Sequence, residues 1–297
     1  MPKSYSGYIP VSQISPELEK KLGAAVERMP AFPKSVQKVL ELTRNLNCMP
    51  KELVGVIEKD PVMTIKILKV INSAAFALPN KMTSINQAVI FLGLNTIKNM
   101  ALSFAAVGIL PRMNAAGFDI QRYLMHSLTT ASVARALVPK YAAGQVDPSD
   151  VYIAGLLHDF GKVVFAQFMA AEFREALAYS LTHEVPLCEA ETIVIGADHT
   201  VVGSMLVKRW QFAPEFVECI RDHHTPGAQS AMGECLSMAD QICRYKEFGD
   251  SGNPYRAGEP AIAPQRFGES IDDVIERLGD LSRFVAEAES FAQVNQE

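Results

Sequence analysis

Apolar residues recur at helical spacing along nearly the whole chain, and no run alternates apolar and polar residues between turn signals. This pattern predicts an all-α fold, a bundle of many short helices. The punctuation agrees. Ser15-Pro16 and Asp60-Pro61 each offer an N-cap followed by proline at the first helical position. Ser84 with Gln87 three residues on reads as a capping box ahead of AVIFL, and Gly93 suits the end of that helix. Asn95 is then placed to cap the next segment, and Val62, Ile65, Leu68 and Ile71 read as one apolar face interrupted by Lys69.

Four stretches follow from these signals. Residues 1–24 form an N-terminal extension, 25–112 a first helical group and 113–246 a second, with a loop expected at Asn114 to Gly117. Residues 247–297 read as a loop rich in Gly, Pro and Asp, then one amphipathic helix carrying Ile271, Ile275, Leu278, Leu281, Val285 and Phe291. That helix either packs on its own core, the ordinary role of a single apolar stripe, or mediates a homodimer.

Composition narrows the function classes. With 297 residues, 48% hydrophobic and 21% charged, the chain can bury a sizeable core and is neither disordered nor a disulfide-stapled miniprotein. The net charge is −5 with lysines and arginines scattered singly, which argues against nucleic acid and anionic membrane as partners and leaves small phosphorylated ligands open. Five cysteines without a Cys-x-x-Cys pair read as reduced, buried thiols. No signal-peptide pattern opens the chain, and the longest apolar stretch, Met100 to Leu110, is about half of a membrane span, so a cytoplasmic protein is expected.

All six histidines fall between positions 126 and 224. His158 and Asp159 are adjacent at the end of an apolar helical run, where a buried imidazole and carboxylate need compensation that a metal supplies. His126 and Asp240 each sit on a helix face with apolar neighbours, and with His158 and Asp159 they make a first metal site. His199 with His223 and His224 could complete a second, Asp159 bridging the two ions, an arrangement suited to phosphoryl hydrolysis or oxygen activation. Each residue alone has an ordinary reading: His126 as a core histidine, Asp198-His199 as a helix cap, His223-His224 as positive charge at a helix C-terminus. Lys162 either reaches a phosphate at the metals or lies in solvent.

The order His126, His158-Asp159, Asp240 resembles the His…His-Asp…Asp signature of the HD superfamily of metal-dependent phosphohydrolases. More closely, residues 29–42, 52–79, 82–102 and 198–224 resemble the HDOD domain, the HD-related output domain of bacterial signalling proteins, with the run Asp60 to Leu94 the most specific. The resemblance covers about residues 25–245. It implies an all-helical signalling or regulatory module, many members of which have lost the HD ligands. Here His126, His158, Asp159, His199, His223, His224 and Asp240 are all present, and Lys162 completes the HD-x-G-K form shared with HD-GYP phosphodiesterases. The GYP motif is missing, TPGAQS following His224, and Arg122 stands one turn before His126 where a third metal would need a carboxylate. Both argue against cyclic-dinucleotide hydrolysis.

With few residues on either side of the match, a stand-alone module is expected, signalling through a ligand or an unidentified protein partner. Two divalent ions are expected, iron first and manganese next, because imidazole-rich ligand sets disfavour magnesium. Three readings stand in order: a regulator with a dinuclear centre; a phosphohydrolase or phosphodiesterase using Asp159 and Lys162; and oxidative cleavage by a diiron site.

Overall fold

The computed structural model describes residues 14–31, 34–43, 49–111, 113–225, 230–253 and 265–296, and regular structure among them is helical throughout. Helix α1 (Pro16–Arg28) begins in the N-terminal extension, and the first group holds α2 (Lys34–Thr43), α3 (Pro50–Glu58), α4 (Pro61–Ile71), a 3-10 turn (Ala74–Phe76), α5 (Ile85–Leu92) and α6 (Leu94–Gly108). The second holds α7 (Ile120–Tyr141), α8 (Pro148–Leu157), α9 (Phe160–Phe168), α10 (Ala170–His183), α11 (Leu187–Ile195), α12 (His199–Arg209), α13 (Pro214–Asp222) and α14 (Ala231–Tyr245). Last come α15 (Ile271–Leu278) and α16 (Ser282–Gln296).

The caps work as the side-chain chemistry dictates. Ser15 accepts from the Leu18 amide and Asp60 from the Met63 amide, each ahead of a proline that has no N–H to satisfy. Ser84 accepts from Gln87, but the return arm of the box lands one residue early, Gln87 Oε1 accepting from the amide and hydroxyl of Thr83. Gly93, at φ 85°, ends α5 and is also the N-cap of α6, so Asn95 lies inside that helix and does not cap it. Asn114 folds its loop by accepting from the amides of Ala116 and Phe118.

The α4 face differs from its sequence reading. Met63, Ile67, Val70 and Ile71 are buried, while Val62 and Ile65 are 64% and 57% exposed. The helix is apolar on more than one side, and its packing against α3, α5, α6 and α16 selects which side is core. Asn72 then fastens the following turn, donating to the carbonyls of Leu68 and Met82 and accepting from the Met82 amide at 2.7 Å.

One large core takes Leu53, Ile67 and Ile97 from the first group together with Leu128, Phe160, Val202 and Leu236 from the second. The middle of the bundle is α7, packed by α8, α14 and α16, while α12 lies on α9 and α13. A second core joins the C-terminal half of α7 to α14, α15 and the start of α16 through Leu137, Met238, Ile242, Val274 and Phe284. The single C-terminal helix expected from sequence is two, broken at Gly279, whose φ of 76° is incompatible with a helix. Both pieces pack on their own core, and Glu287 of α16 accepts from Ser132 and Arg135 of α7. The loop expected before them falls partly in residues 254–264, outside the described residues.

No single helix among the described residues is long and apolar enough to cross a membrane. α11 and α12 reach that length only as a pair bent by 85°. The described cysteines are Cys188, Cys219, Cys235 and Cys243, all unpaired, and Cys48 lies outside the described residues.

Candidate metal centre

Six helices bring their ends or inner faces to one buried point. α7 presents His126 from its apolar flank. The junction of α8 and α9 supplies His158 and Asp159, and the first turn of α9 supplies Lys162. His199 opens α12, whose N-cap is Asp198, accepting from the Thr200 and Val201 amides. Helix α13 ends at Asp222 with His223 as its C-cap, and the rings of His223 and His224 both reach the cluster, 4.0 Å apart at their centroids. Asp240 points inward from α14. All the sequence-predicted site residues therefore converge. His126, His158, Asp159, Lys162, His199, His223 and Asp240 are buried, and His224 is partly so.

The Asp159 carboxylate stands between two groups of imidazoles. Its Oδ2 faces His158 Nε2 at 3.3 Å and His126 Nε2 at 4.0 Å. Its Oδ1 faces His199 Nε2 at 3.0 Å and His223 Nε2 at 3.7 Å. Asp240 Oδ1 closes the first group, 3.1 Å from His126 Nε2 and 3.8 Å from His158 Nε2. His224 Nε2 closes the second, 3.0 Å from His199 Nε2. Two sets of donor atoms thus share Asp159, one with His126 and His158, the other with His199, His223 and His224, each set within 4.8 Å of itself.

Hydrogen bonding aims the rings. The Nδ1 atoms of His158 and His223 donate to the carbonyls of Gly155 at 2.8 Å and Ile220 at 2.7 Å, which turns each Nε2 lone pair toward the cluster. His126 Nε2, His158 Nε2, His223 Nε2 and Asp159 Oδ1 are buried without a hydrogen-bond partner. Four orphaned donor atoms converging on one point are costly in a protein interior, and a metal ion satisfies them. The residues fit a dinuclear group.

Lys162 is not in solvent. Its ammonium is buried and lies 2.7 Å from Asp159 Oδ2. Burial alone would raise the Asp159 carboxyl; the charges of His158, Lys162 and His199 outweigh it and hold the group well below the usual carboxylate range. Burial likewise opposes ionisation of Asp240, and Arg244, 3.2 Å from its Oδ2, together with His126 holds it low.

Glu191, on α11, escaped the sequence reading. It is fully buried, and its Oε2 lies 2.5 Å from His199 Nδ1 and accepts from the His199 amide at 2.9 Å. Burial pushes the His199 imidazolium down, but Glu191 and then Asp159 raise it to about 9. His223 and His224, by contrast, are pushed below the ordinary histidine value, chiefly by burial and also by the neighbouring imidazoles. The available signal for Glu191 was a second carboxylate in the otherwise apolar α11, two residues after Glu189 and eight before His199. Gly161 is a further hidden requirement. A Cβ there would meet the His199 carbonyl oxygen at 2.0 Å, so only glycine lets α9 and α12 approach closely enough to bring Asp159 to His199.

Residues 29–226 match the HDOD domain family. An uncharacterised protein of Treponema pallidum is 25% identical over 247 residues, 82% of this chain and 47% of that protein, so the chain spans about half the length of the curated relative it matches. A solved HDOD domain protein of unknown function from Geobacter sulfurreducens shares the fold with a TM-score of 0.72 at 24% identity, over 94% of this chain and 97% of that one. So does a candidate phosphohydrolase from Shewanella amazonensis, with a TM-score of 0.72 at 21% identity, over 91% and 98%. With the helical bundle and the convergent histidines, these matches establish that the chain belongs to the HDOD domain family.

Proposed function

We propose that this chain is a cytoplasmic bacterial signalling module whose second helical group holds a dinuclear metal centre, filled by iron with manganese as the alternative. One observation carries the reading: the two oxygens of Asp159 face separate groups of imidazoles, the arrangement a bridging carboxylate requires. His126, His158 and Asp240 hold one ion, and His199, His223 and His224 the other. The location is supported by the described cysteines, which are all unpaired, as suits a reducing compartment. The first helical group recruits a protein partner, a role supported by the exposed apolar side chains Val62 and Ile65 on α4 and Ile90 and Phe91 on α5.

The second reading is a phosphohydrolase, favoured by Lys162. A bound pair of divalent ions supplies Lewis acidity and an activated water at such a site. The chain's own part is then to neutralise charge developing on a phosphoryl oxygen with the Lys162 ammonium, and to exclude bulk water with the buried ligand shell.

The test is elemental analysis of protein purified without chelator, beside Asp159→Ala. The expected result is about two iron or manganese ions per chain, lost in the variant; no metal in either protein sinks the reading. A panel of phosphodiesters and nucleotides with added manganese or iron then decides between regulator and enzyme. Turnover abolished by Asp159→Ala makes it a hydrolase, and silence keeps it a regulator.

A further inference from the structure

The two halves of the centre are built unequally. In the half formed by His126, His158 and Asp240, both carboxylates already face cations. Lys162 Nζ sits 2.7 Å from Asp159 Oδ2, the oxygen on that side, and Arg244 Nη2 sits 3.2 Å from Asp240 Oδ2. An ion entering there must share oxygens with a buried ammonium and a guanidinium, and each added like charge weakens its hold. In the other half the shared carboxylate offers Oδ1, which is buried and faces imidazoles of the set itself, His199 Nε2 at 3.0 Å and His223 Nε2 at 3.7 Å, with no Lys or Arg against it among the described residues. Behind His199 stands Glu191, fully buried, fixing Nδ1 as the donor at 2.5 Å and leaving Nε2 for the ion. A carboxylate behind a ligating imidazole sets its orientation and raises its basicity. His158 and His223 have only backbone carbonyls in that place.

We propose that the His199/His223/His224 half is a high-affinity site, with Glu191 as its positioning residue, and that the His126/His158/Asp240 half is an exchangeable site for which the Lys162 ammonium competes. The protein then has a resident ion and a second ion whose occupancy follows its concentration, a graded signal in a module of this kind. The inference rests on the dinuclear reading.

The experiment uses the full chain stripped of metal and titrated with Mn(II) alone, free ion being followed by electron paramagnetic resonance. Wild type is expected to bind two ions in steps separated by about tenfold or more in Kd. Glu191→Gln weakens the tight step by about 10–100-fold and leaves the weak step in place. Lys162→Met tightens the weak step by about tenfold and leaves the tight one. His126→Ala abolishes the weak step only. A merely structural role for Glu191 would move both steps together, and circular dichroism confirms that each variant is folded before titration. Two equal steps in wild type, loss of the weak step in Glu191→Gln, or weaker binding in Lys162→Met overturns the proposal while the dinuclear centre stands. Failure of wild type to take up two ions overturns both.

Discussion

The Lys162 ammonium lies 2.7 Å from Asp159 Oδ2, with both side chains buried at the head of α9. Each neutralises the other when no metal is bound. Asp159→Ala therefore strands an ammonium in the core and destabilises the chelated protein by about 3–5 kcal/mol. Adding Lys162→Met removes the stranded charge and recovers at least half of that loss. Urea unfolding in the presence of chelator measures both, and simple additivity of the two substitutions would count against the pair.

Gly161 is where α9 touches the backbone of α12. Gly161→Ala drives a methyl into the His199 carbonyl and costs about 3 kcal/mol, since the atom it meets is main chain and cannot rotate away. Because the same contact sets the Asp159–His199 distance, metal content falls with stability. Normal metal content in a folded Gly161→Ala protein would show that the contact does not position the site.

The pH dependence of the chelated protein has two limbs. His199 is raised from 6.5 to about 9, so the folded state holds its proton more tightly than the unfolded chain. Its contribution is complete below pH 6.5 and is lost as pH rises toward 9. His223 and His224 are shifted the other way, so the unfolded chain binds their protons first and stability drops as pH falls below 6.5. Asp159 and Asp240, held low, contribute above the ordinary carboxylate range and lose that contribution in acid. Maximum stability is expected near pH 6.5, and Glu191→Gln flattens the alkaline limb. Urea midpoints from pH 4 to 9 test this, and an unchanged alkaline limb in Glu191→Gln would rule out Glu191 as its source.

Asn72 provides a control far from the histidines. Asn72→Ala removes three hydrogen bonds around the turn after α4 and costs about 2–3 kcal/mol. Metal content should not change. Hydrogen exchange over residues 74–83 should rise, and protection equal to wild type would show that the turn holds without this fastening.

How far the sequence reading reached depends on what kind of signal each residue leaves. Helix starts at Pro16 and Pro61 and the clustered site residues were legible, because caps are local and because imidazoles and carboxylates on apolar faces stand out. The core side of α4 was not legible, since Val62 and Ile65 are as apolar as the residues that are buried and only the neighbouring helices choose between them. Asn95 is a good cap in isolation, but Gly93 already supplies the turn. The break at Gly279 was hidden by an apolar stripe that continues across it, Leu278 ending α15 and Leu281 standing just before α16. Glu191 had no local partner to betray it, because its purpose lies one loop away on His199.

The proposed ligands come from positions 126, 158, 159, 199, 223, 224 and 240, on segments far apart in the chain. An ion held by them is a knot in the chain, closing several long loops at once and subtracting their freedom from the unfolded state. The segments so tied share a core with α3, α4 and α6, so untying the knot slackens helices far from the ion. In a module of this build, gain or loss of an ion is a mechanical event for the whole bundle.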